Sequence, residues 1–329
     1  MAKAKEERKK LSLDDYLKQA KKALGKNTLG DVDEVHVPIA RISTGSNELD
    51  NDLNGGWHRG KIHEIWGLEA SGKSLLTLIA IANAQAQGLK VAFIDAEMTY
   101  DPIFAAGFGV DNDSLILMKP DYGEQALEAV DELSRTGEVG LIVIDSVSAL
   151  TPKAEMDAGM EANHVGLQAR MMGQALRKLT PVAAKSNTAI IFINQIREKV
   201  GVMYGDPRTT SGGNALKYYA SIRAEVRLVK TEDSPRFENG KQVGHRMAVQ
   251  VKKSKVGSKV EEAVEFDINY FGGGIDNESA AFNTAIKSGI ITSEKGHYFV
   301  NGEKFAYGKP KAIEYFLANR QEFVAAEEE

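Results

Sequence analysis

Ile62-His63-Glu64-Ile65-Trp66-Gly67-Leu68-Glu69-Ala70-Ser71-Gly72-Lys73-Ser74 decides how the rest of the chain is read. It runs from an apolar stretch of strand length (Ile62 to Trp66), through a glycine-bounded turn, into a helix that should begin near Ser74. Gly67, Leu68, Glu69, Ala70, Ser71, Gly72, Lys73 and Ser74 match the pattern GxxxxGK[ST]. At average residue usage that bare pattern arises by chance in about one chain per hundred of this size, and the strand-to-helix setting makes coincidence rarer still. The glycines let backbone N–H groups wrap a phosphate, and the helix N-terminus adds partial positive charge. Lys73 is placed to neutralise the β and γ oxygens and Ser74 to ligate Mg²⁺. The run through Leu75 is therefore the expected cofactor-binding segment.

Outward from this turn, strand-length apolar runs alternate with helical segments at Val91 to Asp95, Leu115 to Met118, Leu141 to Asp145 and Ala189 to Ile193. That alternation marks a parallel sheet flanked by helices. Arg223 to Val229 and Met247 to Val251 alternate apolar and polar residues, as half-buried antiparallel strands do. Leu141-Ile142-Val143-Ile144-Asp145 reads as a buried strand ending in a carboxylate, suited to holding a metal through water beside a phosphate turn. Glu97 stands just past the end of Val91 to Asp95, on the side where open α/β sheets bind ligands. A carboxylate there can orient or deprotonate the water that attacks a γ-phosphate.

With 329 residues, the chain is long enough for one large core and a small accessory domain. There is no cysteine, which excludes disulfides, thiolate metal sites and cysteine nucleophiles; a reducing cytosol fits. The charged start, Met1 to Lys10, lacks the apolar core of a signal peptide, and no apolar run reaches the roughly 18 residues needed to cross a bilayer. Net charge is −5, but its distribution is uneven: Val91 to Met160 holds 14 acidic and 3 basic residues, Glu161 to Lys230 holds 4 and 11. A locally basic surface on an acidic protein is expected. Leu13, Tyr16, Leu17, Ala20 and Leu24 recur at helical spacing between a capping Ser12 and Gly25. The six histidines show no metal-ligand spacing.

Several further segments carry a resemblance. Phe93-Ile94-Asp95-Ala96-Glu97, Ala149-Leu150-Thr151-Pro152-Lys153-Ala154-Glu155, Ala169-Arg170-Met171-Met172, Ile191-Phe192-Ile193-Asn194-Gln195-Ile196-Arg197 and Gly212-Gly213-Asn214-Ala215-Leu216-Lys217, with the phosphate turn, resemble the bacterial RecA family in order and spacing. The likeness runs from about Ile42 to the C-terminal part. It implies an α/β fold: a RecA-type P-loop ATPase core whose mainly parallel sheet is extended by antiparallel strands, with an N-terminal helix and a small α+β C-terminal domain. Expected boundaries are 1–36 for the helix and linker, 37–270 for the core with its DNA-binding loops, and 271–329 for the C-terminal domain.

The resemblance implies a DNA recombinase that uses ATP and Mg²⁺ to form helical filaments on single-stranded DNA and pairs it with homologous double-stranded DNA, in the cytoplasm and without a membrane. A single-strand-binding protein and loading mediators would be partners. Glu97 is similar to the family's catalytic carboxylate and Gln195 to its γ-phosphate sensor. Asp101 and Phe104 stand at adenine-contacting positions, phenylalanine replacing the usual tyrosine. Lys253 and Lys255 stand where the family reaches the ATP of an adjacent subunit, acting as an arginine finger does.

Two segments resemble DNA-binding loops. The first, Asp157 to Gly166, carries His164 and Val165 ahead of Arg170. The second, Arg197 to Thr210, carries Arg197, Lys199, Met203, Tyr204 and Arg208, and leads into Ser211, Gly212, Gly213 and Asn214, whose backbone N–H groups suit phosphates. Cations with apolar or aromatic side chains suit single strands. The stretch Arg246 to Gln250 has fewer cations than the family places there for a second DNA strand, leaving Arg227, with Arg223 or Lys230 to help. The phosphate turn alone also suits a ring-forming helicase; the second loop, the lysine pair and the N-terminal helix favour the filament.

Overall fold

The computed structural model describes residues 12–24, 29, 39–158, 166–198, 208–231, 234–257, 262–270, 272, 274–320 and 323, in two compact units, 1–39 and 40–329. In the first unit, α1 (Leu13–Leu24) starts where expected. Ser12 Oγ accepts from Asp15 N at 3.2 Å, and Asp14 and Asp15 in the first turn with Lys21 and Lys22 in the last complement the helix dipole.

The second unit opens with β1 (Arg41–Ile42), α2 (Asn47–Asp52) and β2 (Trp57–His58), then β3 (Ile62–Gly67), α3 (Lys73–Ala86), β4 (Lys90–Asp95), α4 (Pro102–Gly107), β5 (Leu115–Met118), α5 (Gly123–Arg135) and β6 (Val139–Asp145). It continues through α6 (Lys153–Met156), α7 (Leu167–Ser186), β7 (Ala189–Glu198), β8 (Arg208–Thr210), α8 (Ala215–Tyr219), β9 (Ile222–Val229), β10 (Arg236–Glu238), β11 (Lys241–Ser254), β12 (Val264–Asn269) and β13 (Gly274–Ile275). Among the described residues, eleven strands form one sheet in the order β13-β12-β11-β9-β3-β7-β6-β4-β5, with β10 beside β11 and β8 beside β7.

The central strands are mostly apolar because both faces are covered, with His63 and Glu64 of β3 and Asn194 of β7 as buried polar exceptions. Side chains alternate between faces: Val91, Phe93, Leu141, Val143 and Ile191 pack with Leu76 and Ile79 of α3, while Ala92, Ile94, Ile142, Ile144 and Phe192 pack with Leu127 and Val130 of α5 and Leu176 of α7. Met171 and Met172 are buried in this second layer.

Two strands depart from the sequence expectation. β9 is antiparallel to β11 but parallel to β3, because alternating polarity reports a half-exposed face and not the direction of a neighbour. β7 runs past Ile193 to Glu198, where it pairs with β8 (Ile196 opposite Thr210, Arg197 opposite Thr209). The ends of the second loop are thus clamped as a hairpin.

The C-terminal part holds α9 (Asn277–Lys287), an antiparallel sheet of β14 (Ile291–Glu294), β15 (His297–Val300) and β16 (Glu303–Tyr307), and α10 (Lys309–Ala318). Phe282, Ala285, Ile291, Ala312, Phe316 and Phe323 form its own apolar core.

Candidate active site and nucleic-acid interface

Strand register brings the expected catalytic groups to one rim. Gly67 pairs with Gln195 across β3 and β7, and Asp95 with Asp145 across β4 and β6. The carboxyl ends of four neighbouring strands therefore open on the same crevice.

At that rim the turn between β3 and α3 closes tightly. Gly67 cannot carry a side chain, since a Cβ would lie 2.2 Å from the Val226 carbonyl oxygen. Gly72 caps α3 in the left-handed region at φ 93°, which favours glycine. Lys73 is 8% exposed, and its ammonium donates to Leu68 O at 2.6 Å. Burial pulls its pKa below the ordinary lysine range, against the attraction of Asp145, Glu97 and Glu69. Ser74 Oγ donates to Asp145 Oδ2 at 2.7 Å. Burial pushes the Asp145 carboxyl up to about 6, helped by Glu97 and Asp95 and opposed by the Ser74 hydrogen bond and Lys73. Ala70, Ser71, Gly72, Lys73, Ser74 and Leu75 line a cavity of about 330 Å³ with Phe104, His245 and Tyr270.

Glu97 is held from three sides. Its backbone N–H donates to Asp145 O at 3.1 Å. Its Oε1 accepts from Gln195 Nε2 at 3.0 Å and from Ser146 Oγ. The turn that carries it is tied by Asp95, fully buried, whose carboxylate accepts from Thr99 N and Tyr100 N, both at 3.0 Å. Ser146 and Asp95 escaped the sequence reading, although both flank residues it singled out.

Asp101 and Phe104 separate in role. Asp101 Oδ1 caps α4 by accepting from Ile103 N (2.8 Å) and Phe104 N (3.1 Å), whereas the Phe104 ring faces the cavity and meets Tyr270 edge-on with centroids 6.2 Å apart.

Asn194, fully buried, joins this rim to the second loop. Its Oδ1 accepts from Gln195 N at 2.9 Å and Ser211 N at 3.2 Å, and its Nδ2 donates to Ser211 O at 3.0 Å and Glu64 Oε1 at 2.9 Å. Glu64, also fully buried, pairs through Oε2 with Arg223 Nε at 2.5 Å, and the guanidinium lies over the Trp66 ring. Arg223 is thus held largely inside the fold, its side chain 14% exposed. Gly212 and Gly213 take φ of 79° and 76°. Gly212 N donates to Gln168 Oε1 at 3.2 Å, and Ser148 Oγ lies 3.1 Å from Ser211 Oγ. Asn214 then starts α8 without a side-chain cap.

Among the expected DNA contacts, Arg170 and Arg197 are exposed, and Arg197 Nε reaches Ser211 Oγ at 3.4 Å. Arg208 pairs with buried Glu225 at 2.6 Å, which Lys252 also approaches at 3.3 Å. His164, Val165, Lys199, Met203 and Tyr204 lie outside the described residues. Lys253 and Lys255 converge on the C-terminal end of α8: Lys253 Nζ donates to Lys217 O and, at 3.0 Å, to Tyr218 O, and Lys255 Nζ donates to Tyr218 O at 2.6 Å. Burial first, then Lys255 and Arg223, pull Lys253 down to about 8.

Among the described residues no three His, Asp or Glu side chains gather into a metal cage. The paired oxygens of Ser74 and Asp145 fit a small hard cation that keeps waters and is completed by phosphate, as Mg²⁺ does. No helix among the described residues is long and apolar enough to cross a membrane.

A phosphate cradle at the carboxyl rim of a mainly parallel sheet, with carboxylates on the adjoining strand ends, defines a P-loop nucleoside triphosphatase. The family described as the RecA N-terminal domain matches residues 11–276. Curated relatives named Protein RecA include that of Frankia casuarinae, 47% identical over 311 residues covering 94% of this chain and 88% of that protein. Those of Streptomyces venezuelae (47%, 94% and 80%) and Mycobacterium ulcerans (46% over 322 residues, 97% and 90%) are similar. The chain belongs to the RecA family, whose members are DNA-dependent P-loop ATPases of recombination and repair.

Proposed function

We propose that the nucleotide is ATP with Mg²⁺, bound where one subunit abuts the next, and that it drives assembly of a helical filament on single-stranded DNA for pairing with a homologous duplex. The cradle from Gly67 to Leu75 wraps the phosphates, Lys73 meets the β and γ oxygens, and Phe104 with Asp101 receives the adenine. Ser74 and Asp145 hold Mg²⁺, which when bound neutralises charge on the phosphates. Glu97 orients the attacking water; Gln195 senses the γ-phosphate. Lys253 and Lys255 serve the nucleotide of the adjacent subunit, which makes turnover depend on assembly. Open filaments follow when a head-to-tail interface does not close into a ring.

DNA contact is assigned to both loops, through His164 and Val165 in the first, with Arg170 on the helix that follows it, and Arg197, Lys199, Met203, Tyr204 and Arg208 in the second, with the backbone of Ser211, Gly212, Gly213 and Asn214 on the phosphates. The working division is 1–36 for oligomerisation, 37–270 for the ATPase core and 271–329 for the C-terminal domain. The setting is the cytoplasm, with a single-strand-binding protein and loading mediators as partners.

One observation carries this reading: Gln195 donates to Glu97 from the same strand whose preceding residue, Asn194, holds Ser211 at the end of the second loop. A change at the γ-phosphate therefore has a short polar route to the DNA side. Strand exchange between a circular single strand and a homologous duplex, with electron microscopy on a slowly hydrolysed ATP analogue, tests it. Filaments and exchanged product are expected; closed rings without exchange would favour the helicase reading.

A further inference from the structure

Glu64, in the middle of β3, is an acid that neither its sequence context nor the reading above uses. It is fully buried, and burying a carboxylate is costly unless it is paired. Replacing a buried ion pair by apolar residues is often neutral or stabilising, so such a pair is weak evidence for a role in stability. The neighbours of Glu64 point to a different role.

Strand register sets three charges in one row. Glu64 stands opposite Arg223 across β3 and β9, and Arg223 stands opposite Lys253 across β9 and β11. Residues in register share a face of the sheet, so the row reads carboxylate, guanidinium, ammonium. It ends at α8, whose Lys217 and Tyr218 carbonyls take the Lys253 ammonium. Like charges directly opposite on paired strands repel, and Arg223, held largely inside the fold, has little water to turn to. Glu64 supplies the counter-charge. Its Oε2 accepts from Arg223 Nε at 2.5 Å, while the guanidinium lies 5.4 Å from the centroid of the Trp66 ring. Its Oε1 accepts from Asn194 Nδ2 at 2.9 Å, which fixes the carboxylate from the β7 side. The remaining cations near Lys253 are Lys255 of its own strand and Lys217 of α8, and the Lys217 ammonium donates to Thr209 Oγ1 at 2.7 Å. Burial, Lys255 and Arg223 pull Lys253 down to about 8, and Glu64 opposes them.

We propose that Glu64 is a positioning residue for the lysine that serves the next subunit: by neutralising and seating Arg223, it lets Lys253 stand as a cation where the neighbour's nucleotide can take it. The proposal rests on the reading that Lys253 acts on that nucleotide. It makes the row across β3, β9 and β11 part of what a subunit offers its neighbour, separate from its own phosphate cradle.

The test measures ATP turnover on single-stranded DNA by the full chain and by Glu64→Gln, Lys253→Ala and the two together. Glu64→Gln should lower turnover by roughly 2- to 30-fold, the span that mutations within a coupled network produce, while dilute subunits keep their affinity for ATP. The double variant should be no slower than Lys253→Ala alone, because changes that act through one group do not add. Mixing Glu64→Gln with Glu97→Gln places sound lysines beside the intact catalytic rim of the first chain. Turnover per Glu64→Gln chain should then rise towards roughly half that of the parent, since random head-to-tail stacking gives that share of its nucleotides a sound neighbour. A merely structural loss would not be repaired by a neighbour.

Glu64→Leu with Arg223→Met, an apolar pair that leaves neither charge unpartnered, carries the same comparison where Glu64→Gln folds poorly, and the same rescue is expected. Full turnover by Glu64→Gln, losses that multiply in the double variant, or a mixture that gains nothing would overturn the proposal. Full turnover by Lys253→Ala would instead remove the assignment of the lysine beneath it, and the proposal with it.

Discussion

Replacing Asn194 by leucine should uncouple the ATPase rim from the second loop. The two side chains are close in volume, so the perturbation is chemical. It removes four hydrogen bonds: those from Gln195 N and Ser211 N to Oδ1, and those from Nδ2 to Ser211 O and Glu64 Oε1. The two Ser211 groups are half-buried and can turn to water, so they contribute little to the penalty. Glu64 has no such outlet, being fully buried, although Arg223 still satisfies its other oxygen. Counting about 1–3 kcal/mol for each buried group left unpaired and about two such groups, the variant should lose about 2–6 kcal/mol. Urea unfolding followed by circular dichroism reads this as a lower midpoint at unchanged slope. Asn194→Asp should lose at least as much, because it sets a second carboxylate beside that of Glu64. With Ser211 released, stimulation of ATP turnover by single-stranded DNA should fall several-fold while affinity for ATP holds. A leucine variant that unfolds within 0.5 kcal/mol of the parent, by the order of magnitude a single surface change produces, and keeps full DNA stimulation would refute the reasoning.

Three other outcomes are expected. Glu97→Gln should keep ATP-dependent DNA binding and slow hydrolysis by about 10²- to 10⁴-fold, the usual contribution of a positioned base, measured as phosphate release on single-stranded DNA; full turnover would hand the water to another group. Lys253→Ala with Lys255→Ala should lower DNA-dependent turnover while leaving ATP binding to dilute subunits intact, and mixing with a Glu97→Gln chain should restore part of the turnover if the lysines act on a neighbour's nucleotide. His63 is fully buried, with its ring against Trp57 and Nε2 on the His58 carbonyl oxygen at 2.8 Å, and burial pulls it down to about 4 from 6.5. The unfolded chain then binds the proton first, so stability present above pH 6.5 is lost as pH falls towards 4, by about 3 kcal/mol in all. His63→Gln should flatten that part of the pH profile of urea midpoints.

The phosphate turn was legible because its constraint is local: Gly67, Gly72 and Lys73 are tied by backbone geometry within eight residues, and the spacing survives in the bare string. Asp145 and Glu97 were legible for a related reason, since an apolar strand that ends in a carboxylate announces which rim it reaches. What the string hides is pairing at long separation. Glu64 meets Arg223 across 159 positions and Asn194 across 130, and nothing near Arg223 distinguishes a guanidinium buried over Trp66 from one offered to DNA. Arg208 reads as a free loop cation until Glu225 of β9 is found beside it. His245, in the cavity, had no recognisable neighbours in sequence, because its place there is made by Tyr270 from the end of β12 and by Gly72 from the far side of β3. Strand direction was equally hidden: β9 has the polarity pattern of an antiparallel strand and yet runs parallel to β3.

Seen from the second loop, the polar contacts have a common end point. Ser211 is held by Asn194, whose neighbour Gln195 holds Glu97, so on the proposed function the subunit's own nucleotide would act on Ser211 through two adjacent residues of β7. Three residues beyond Ser211, α8 begins at its Asn214 cap, and its last carbonyls, at Lys217 and Tyr218, are held by Lys253 and Lys255. On the proposed function those lysines turn to the triphosphate of the next subunit, and Lys253, which already gives two of its three N–H groups to carbonyls of α8, loosens its hold on the helix as it does so. A helix of five residues has little stability of its own and relies on what caps its ends. The segment from Ser211 to Tyr219 is therefore gripped at one end by its own subunit's catalytic rim and at the other by groups that a neighbour's nucleotide would draw away. That arrangement gives a reason for DNA affinity to respond to ATP at two successive sites rather than one, and it makes the short helix the element whose amide exchange should change most when the filament assembles.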